Sequence, residues 1–342
     1  MGLKRIARRL AGGFVGGLQL AGPIARVLGG RAAILAYHRV LDPAVHDPET
    51  VEPGMFVRRD AFAAHLQLLQ RDFHVVPLAE LARRLLTGEK IRPRTVVITF
   101  DDGWLDTYET AYPLLRAAGL PATVFVPTAL VGSPAPFWFS RAAALARRFW
   151  ERREELAASF PDEGMPPAAD FLMQLLVDDP PRAGYFGRVL SAGKALAEPE
   201  REAMLGFLER ITGEPLKCGG DLVSWEQLRR MSADVFEIGS HTVNHVILTQ
   251  ADDETIKREL ALSRQTIAEK IGVAPASFCY PNGDYDKSIA LLVARAGYAC
   301  ALTTRAGFAN RRPDLYALPR LGVHEGVAAT ANGLALLLSG IG

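Results

Sequence analysis

Two adjacent carboxylates follow a short apolar run in the first third of the chain. Residues 94–98 (Arg-Thr-Val-Val-Ile) form a β-branched run typical of a buried strand, and residues 99–103 continue as Thr-Phe-Asp-Asp-Gly. Ligands of α/β proteins bind at the rim where parallel strands end, so we expect Asp101 and Asp102 at such a rim. Because adjacent carboxylates repel each other, a buried pair requires a cation or a proton.

A pair of histidines lies far downstream, in residues 240–245 (Ser-His-Thr-Val-Asn-His), directly after another strand-like run. Two histidines at this spacing can share one metal from a helical turn or a curled loop, although the spacing alone is weak evidence. We predict a metal site of Asp102, His241 and His245, because one carboxylate and two imidazoles suit zinc and leave coordination positions open. Cobalt, nickel, iron and manganese fit the same donors. Asp101 is the predicted general base; the alternative is a helix cap or a supporting acid.

Strand patterns and helical patterns alternate along the chain on both sides of one long interruption. The predicted strands are residues 32–36, 73–76, 94–98, 122–126, 235–238, 276–280, 298–302 and 315–318. Helices are predicted at 61–72, 78–87, 107–118, 253–271 and 287–296. This alternation indicates a parallel α/β architecture.

The alternation stops between about residues 132 and 220, where long helical patterns occur without a convincing strand. We interpret this part as an inserted helical subdomain, which either only packs or covers and binds part of the substrate. The predicted segments are therefore 1–31, a basic and apolar N-terminal segment; 32–131, the first part of an α/β domain; 132–221, the helical insertion; and 222–342, the second part.

The composition is that of a globular protein. The chain has 342 residues, of which 49% are hydrophobic and 23% charged, which is long enough for a full barrel or an open sheet. A net charge of +1 gives no reason to expect a nucleic-acid partner. The three cysteines are far apart and form no CxxC pair, so we expect neither a disulfide framework nor a cysteine-rich zinc site.

The N-terminus combines basic and apolar residues. Basic residues within 4–9 precede a weakly apolar stretch, 10–25, and no acid occurs before Asp42. This stretch is too short and too rich in glycine for a transmembrane helix, and no small-residue cleavage site of a signal peptide follows it. We expect a cytoplasmic protein, or one held at the cytoplasmic membrane face by peripheral contact of this segment; export is the alternative.

The motifs at 99–103 and 240–245 together resemble those of the polysaccharide deacetylases, carbohydrate esterase family four with NodB homology. The resemblance covers roughly residues 32–130 and 222–325. It implies a distorted (β/α) barrel with about seven strands, here interrupted by the helical insertion. It also implies metal-dependent hydrolysis of an N-acetyl group, with Asp101 as the base and the three predicted ligands on the metal.

A third family motif departs from the usual pattern. It normally carries Arg, Pro and Tyr before Gly, whereas residues 278–283 read Phe-Cys-Tyr-Pro-Asn-Gly. By resemblance, the loop with Tyr280 and Asn282 contacts the substrate, and a main-chain N–H at Asn282 stabilises the oxyanion. The missing arginine would orient the base. Arg320 is the predicted substitute from another strand end, and the alternative for it is a surface salt bridge.

The family also requires a general acid that protonates the departing amine. In one arrangement this is a histidine near the chain end, for which His324 is the candidate. In a subgroup that includes deacetylases of bacterial exopolysaccharides, a Tyr-His pair follows the first strand, here Tyr37 and His38. We predict His38, with His324 as the alternative; either ring could instead cap a strand or pack in the core.

These inferences predict an N-deacetylase whose partner is a carbohydrate with N-acetyl groups, in a polysaccharide, a glycolipid or a glycan precursor. Two alternatives stay open: a deformylase or O-deacetylase of a lipid-linked sugar, and an inactive glycan-binding module, against which the intact acid and histidine motifs argue. Trp104, Phe137 and Trp138 either stack on a sugar ring or belong to the core.

Overall fold

The computed structural model describes residues 29–46, 51, 54–134, 137–161, 163–213, 222–311 and 313–340. The predicted N-terminal segment up to residue 28 therefore lies outside the described residues, as does Cys218. The strands are β1 (Ala32–Tyr37), β2 (Arg39–Leu41), β3 (Phe56–Arg58), β4 (His74–Val75), β5 (Thr95–Phe100), β6 (Ala122–Val126), β7 (Phe236–Ser240), β8 (Ser277–Cys279), β9 (Cys300–Ala306) and β10 (Leu318–Gly322).

Seven parallel strands close into a barrel in the order β1, β10, β9, β8, β7, β6, β5, with β5 pairing back to β1. The other edge of β5 is shared, because β4 pairs with Thr95 and Val96 while β6 pairs with Thr99 and Phe100. β4 is thus an appended strand at the amino end of β5. The predicted distorted (β/α) barrel is confirmed.

The helices around the barrel are α1 (Arg59–Asp72), α2 (Leu78–Thr87), α3 (Tyr112–Ala118), α9 (Trp225–Ser232), α10 (Asp253–Ile271), α11 (Lys287–Arg295), α12 (Glu325–Ala328) and α13 (Ala331–Leu338). A π-helix, Thr107–Ala111, precedes α3. The sequence predicted no element for β2, β3, α12 or α13. Strands β2 and β3 have three residues each and pair only with each other, which is too short for a periodic pattern to show.

Successive side chains of each barrel strand point to opposite faces. One buried cluster contains Ala32 and Ile34 of β1, Val97 of β5 and residues of α2. The neighbours of these residues along the two strands belong to a second cluster, which includes residues of α1. Gly239 leaves space for the Phe125 ring, because a Cβ at this position would lie 2.4 Å from that ring. Both faces of these strands are therefore buried among apolar side chains.

A second compact unit contains residues 133–221 and includes the helices α4 (Trp138–Glu151), α5 (Arg153–Ala158), α6 (Phe171–Asp178), α7 (Arg182–Ala195) and α8 (Glu198–Thr212). Large buried side chains, among them Phe149, Tyr185 and Phe207, form its own core. The helical patterns predicted for this part of the chain are therefore real helices. No described helix has the length and apolar character that crossing a bilayer requires.

Candidate active site

Three predicted metal ligands converge at the carboxyl ends of two strands. Asp102 follows β5, and His241 and His245 follow β7; Asp102 Oδ1 lies 3.5 Å from His241 Nε2 and 3.4 Å from His245 Nε2. The ligand atoms all lie within 4.8 Å of one another. Ligands at about 2.0–2.1 Å from a tetrahedral ion are about 3.3–3.4 Å apart. The spacing of these atoms therefore fits one divalent cation.

The tautomer of His241 also suits a ligand. Its Nδ1 lies 2.7 Å from the carbonyl oxygen of Cys279. A carbonyl oxygen only accepts hydrogen bonds, so Nδ1 carries the hydrogen and the lone pair is on Nε2, toward Asp102. Histidine ligands of metals commonly donate their other N–H in this way.

The backbone at the three-ligand cluster is unusual for residues other than glycine. Asp102 has φ 73°, Thr242 φ 68° and His245 φ 57°, all in the left-handed region. The chain after β7 therefore curls tightly and places His241 and His245 with their rings 4.8 Å apart at 76°. Strained conformations of this kind concentrate at binding and catalytic sites.

Glu259 of α10 holds this curled loop from behind. Its carboxylate accepts hydrogen bonds from the main-chain N–H groups of Val243, at 2.7 Å, and Asn244, at 3.0 Å. The side chain of Asn244 donates a further bond at 2.9 Å. The sequence analysis missed Glu259. The available signal was its position on the buried face of α10, between Ile256 and Leu260, where an acid needs hydrogen-bond donors.

Asp101, the predicted base, is bound by Arg320 from β10. The guanidinium donates to both carboxylate oxygens, at 2.7 and 2.6 Å, and also to the Thr303 carbonyl at 2.9 Å and the Thr99 hydroxyl at 3.2 Å. Arg320 is 1% exposed, which excludes the alternative of a surface salt bridge. Burial alone would raise the pKa of Asp101, but the charge and hydrogen bonds of Arg320 outweigh it and lower this pKa below its usual value.

Cys279 lies beside this pair. Its Sγ is 3.6 Å from Asp101 Oδ2 and 3.2 Å from Arg320 Nη2. Burial raises the pKa of the thiol, so it stays protonated at neutral pH. The ligand atoms of Asp101, His241 and Cys279 also lie within 4.8 Å of one another. Because Arg320 occupies both oxygens of Asp101, this second group is a poorer cation site than the first.

The two candidate general acids lie in different settings. His38 Nε2 is 3.9 Å from Asp101 Oδ2, and the side chain is 25% exposed. His324 accepts a hydrogen bond at Nδ1 from the Gly326 N–H and caps α12. Burial, together with the charge of His38, lowers the pKa of His324. His38 thus lies beside Asp101, the predicted base, whereas His324 caps a helix. The roles of both histidines in the reaction stay predictions.

The loop after β8 has two contrasting residues. Asn282 is exposed and has φ 60°, and its side chain donates to the Asp284 carboxylate. Tyr280 is 1% exposed, packs on Phe278 and Tyr285, and donates its hydroxyl hydrogen to the Tyr316 carbonyl. Any substrate contact of Tyr280 therefore has to come from its main chain.

The three candidate stacking aromatics are mostly buried. Trp104 and Phe137 are 4% and 2% exposed, so neither is an open platform for a sugar ring. Trp104 instead donates its indole N–H to Asp102 Oδ2 at 3.0 Å. In the helical unit, Trp138 lies against Gly193 and under the guanidinium of Arg201, 4.8 Å from the ring centre.

Comparisons with known proteins agree with these features. A family model described as polysaccharide deacetylase matches residues 88–165 and 172–301. YxkH of Bacillus subtilis (strain 168) is 22% identical over 279 residues, which cover 81% of this chain and 69% of YxkH.

Solved structures share the fold at low sequence identity. Deacetylase PplD of Streptococcus pyogenes, in complex with acetate, has a TM-score of 0.59 at 20% identity, covering 90% of this chain and 98% of PplD. IcaB from Ammonifex degensii has a TM-score of 0.57 at 18% identity, covering 91% of this chain and 98% of IcaB. These similarities show that the chain has the same fold as these solved structures.

Proposed function

Because the chain belongs to the polysaccharide deacetylase family, and so to the hydrolases of amide bonds, we propose that it removes the acetyl group from an N-acetylated amino sugar with one divalent cation. The observation that carries the proposal is the convergence of Asp102, His241 and His245 next to the buried pair of Asp101 and Arg320. A ligand set and a base are thereby adjacent at one rim of the barrel.

Asp102 Oδ1 and the Nε2 atoms of His241 and His245 would hold the cation. Zinc is the first candidate from the donor types, and cobalt, nickel, iron and manganese suit the same set. A cation bound there lowers the pKa of a coordinated water and polarises the acyl carbonyl. The three protein donors leave positions for both groups.

Asp101 would act as the general base. Arg320 keeps its carboxylate ionised, and Oδ1, which accepts one bond from the guanidinium, retains a second lone pair. Asp101 therefore takes a proton from the attacking water. His38, 3.9 Å from Asp101 Oδ2, is placed to deliver a proton to the departing amine. The main-chain N–H of Asn282 would donate to the oxyanion.

Both the carbohydrate class of the substrate and the acetyl group follow from the family. The structure of PplD contains acetate, which is the product that this proposal expects here. The candidate carriers of the amino sugar are a polysaccharide, a glycolipid and a glycan precursor. Peripheral contact of the N-terminal segment with the cytoplasmic membrane face is part of this proposal.

The first experiment measures acetate release from a panel of N-acetylated sugars and oligosaccharides, with and without a chelator. We expect chelator-sensitive release that His241→Ala abolishes and His46→Ala leaves intact, since the His46 ring bonds to the Asp42 carbonyl and is not among the clustered ligands. Asp101→Asn should abolish release while the metal stays bound. An active Asp101→Asn variant would remove Asp101 from the role of base.

Mass spectrometry of the products separates the related reactions. Formate in place of acetate would indicate a deformylase, and loss of acetyl from O-acetylated sugars alone would indicate an O-deacetylase. Binding of the panel sugars without acyl release, in metal-loaded protein, would contradict the proposed activity.

A further inference from the structure

The two oxygens of Asp102 have different surroundings. Oδ1 faces Nε2 of His241 and of His245 at 3.5 and 3.4 Å. Oδ2 accepts a hydrogen bond from the indole N–H of Trp104 at 3.0 Å. A carboxylate binds cations through one oxygen or through both. The indole bond therefore assigns one oxygen to the ligand cluster and holds the other away from it.

The main chain of Trp104 is fixed independently of this bond. Trp104 forms an antiparallel bridge with Leu222, and the Gly103 carbonyl accepts a bond from the Val223 N–H at 2.9 Å. Gly103 has φ 71°, and a Cβ on it would lie 2.9 Å from Val126 Cγ1. Only glycine fits this close approach, so the turn that presents the indole is closely determined.

The ring of Trp104 is held from one face by Arg39. The guanidinium carbon lies 4.5 Å from the ring centre, which is the geometry of a cation–π contact. Arg39 directly follows His38 in the sequence. Arg39 therefore links the stretch that contains His38, the predicted general acid, to Trp104, which bonds to the predicted metal ligand Asp102.

Asp106 fixes Arg39 in turn. One carboxylate oxygen accepts from Arg39 Nε at 2.7 Å, and the other accepts from the Val40 N–H at 2.7 Å. Asp106 is 1% exposed and directly precedes the π-helix, Thr107–Ala111. π-helical turns frequently occur at functional sites. A buried acid with both oxygens bonded makes Arg39 a fixed contact of the indole.

We propose that Trp104 is a positioning residue that restricts Asp102 to coordination through one oxygen, and that Arg39 and Asp106 keep the indole in place. Without the indole bond, Asp102 rotates and offers both oxygens, which fills a coordination position needed by water or the acyl group. This proposal rests on the metal site proposed above, since Trp104 acts only through Asp102.

The test substitutes Trp104→Phe, which keeps an aromatic ring and removes the N–H. The cobalt-loaded variant should show weaker visible absorption than the cobalt-loaded wild type, because cobalt absorbs less strongly as its coordination number rises. We also expect kcat to fall by about 10–100-fold with little change in KM. Trp225→Phe is the matched control, because Trp225 begins α9 outside the site, and it should leave both readouts unchanged.

Each outcome is informative. A Trp104→Phe protein with the wild-type cobalt spectrum and kcat overturns the positioning role and leaves the metal site intact. A wild type that binds no cobalt overturns the metal site instead. If Trp104→Phe does not fold, the cobalt spectrum of Arg39→Lys is measured instead, because this substitution removes the stacked guanidinium while keeping the charge. A weaker cobalt band in that variant supports the proposal, and an unchanged band overturns it.

Discussion

Arg320 and Asp101 lie 219 residues apart in sequence and form a buried, two-bond ion pair across the barrel rim. The planar guanidinium matches the two carboxylate oxygens, a geometry that lysine cannot reproduce. Removing a carboxylate from water is costly unless its charge is paired and its oxygens are hydrogen-bonded. Arg320 thus keeps the buried carboxylate of Asp101, the proposed base, ionised at a rim where a second carboxylate, Asp102, is adjacent.

Replacing Arg320 should change the pH dependence of the reaction. In Arg320→Met the burial of Asp101 is no longer compensated, so the pKa of Asp101 rises and the acid limb of kcat/KM moves to higher pH. The unpaired buried charge should also destabilise the fold by about 3–5 kcal/mol. The measurements are pH–rate profiles and urea denaturation.

Arg320→Lys is the control for this substitution. It keeps a positive charge but loses the two parallel bonds, so we expect a smaller shift of the acid limb. An acid limb that stays at the wild-type pH in both variants would show that Asp101 is not the group that sets it.

The sequence patterns were sufficient for the parallel α/β architecture because the strand signal was local, whereas the barrel was predicted through the family resemblance. The apolar run at 122–126 predicted β6 with the same ends as in the structure. The predicted ends of α2 and α10 also match, because each helix ends at a glycine, Gly88 or Gly272, in the left-handed conformation. The site residues directly after β5 and β7 were predictable for the same reason, as parallel strands end at one rim.

Contacts between distant segments were not predictable from patterns of this kind. Glu259 accepts hydrogen bonds from Val243 and Asn244, which lie 16 and 15 residues before it on another element. The bond from Trp104 to Asp102 spans only two residues, but the turn that presents the indole is held by Val223 from a distant segment. Neither Glu259 nor Trp104 has a motif of its own. Arg320 was found only through the resemblance to a family in which an arginine orients the base. Tyr280 belonged to the expected motif, but it continues the extended chain directly after β8, so its side chain lies on the same face as Phe278 and packs with it.

His38 should be the more important of the two candidate general acids. His38→Gln is expected to lower kcat by about 10²–10⁴-fold, as loss of a general acid does. His324→Gln should retain most of the activity, because His324 Nδ1 is engaged by the Gly326 N–H in a helix cap. The reverse ranking of the two variants would transfer the role of acid to His324.

Glu259 should affect metal binding without being a ligand. Glu259→Ala leaves the N–H groups of Val243 and Asn244 without their acceptor, so the loop from His241 to His245 loosens. We expect metal affinity to fall by about 10–100-fold, measured by competition with a chromogenic chelator. Glu269→Ala, on the same helix but bonded only to Gln265 at the surface, is the matched control. Equal metal affinity in wild type and Glu259→Ala would contradict this role.

His65 should make the protein less stable in mild acid. Its ring is fully buried, with Nδ1 at 3.2 Å from the Tyr37 hydroxyl and Nε2 at 3.3 Å from the Thr330 carbonyl. Burial lowers the pKa of His65 from 6.5 to about 4, against a smaller opposing effect of the Thr330 carbonyl. The unfolded chain therefore binds the proton more tightly, and the contribution of His65 is complete above pH 6.5 and is lost as the pH falls toward 4. The expected loss between pH 7.5 and pH 5 is about 2 kcal/mol of unfolding free energy.

Urea denaturation at several pH values tests this contribution of His65. His65→Gln removes the titrating ring, so the difference in stability between wild type and variant should shrink by about 2 kcal/mol from pH 7.5 to pH 5. His46→Gln changes a half-buried histidine outside this packing and should show no such change. Tyr37 donates to His65 and directly precedes His38 in the sequence. Protonation of the His65 ring removes the acceptor of this bond, so acid also affects the residue next to the proposed general acid. A His65→Gln variant with the full wild-type pH dependence would mean that other groups cause the loss of stability in acid.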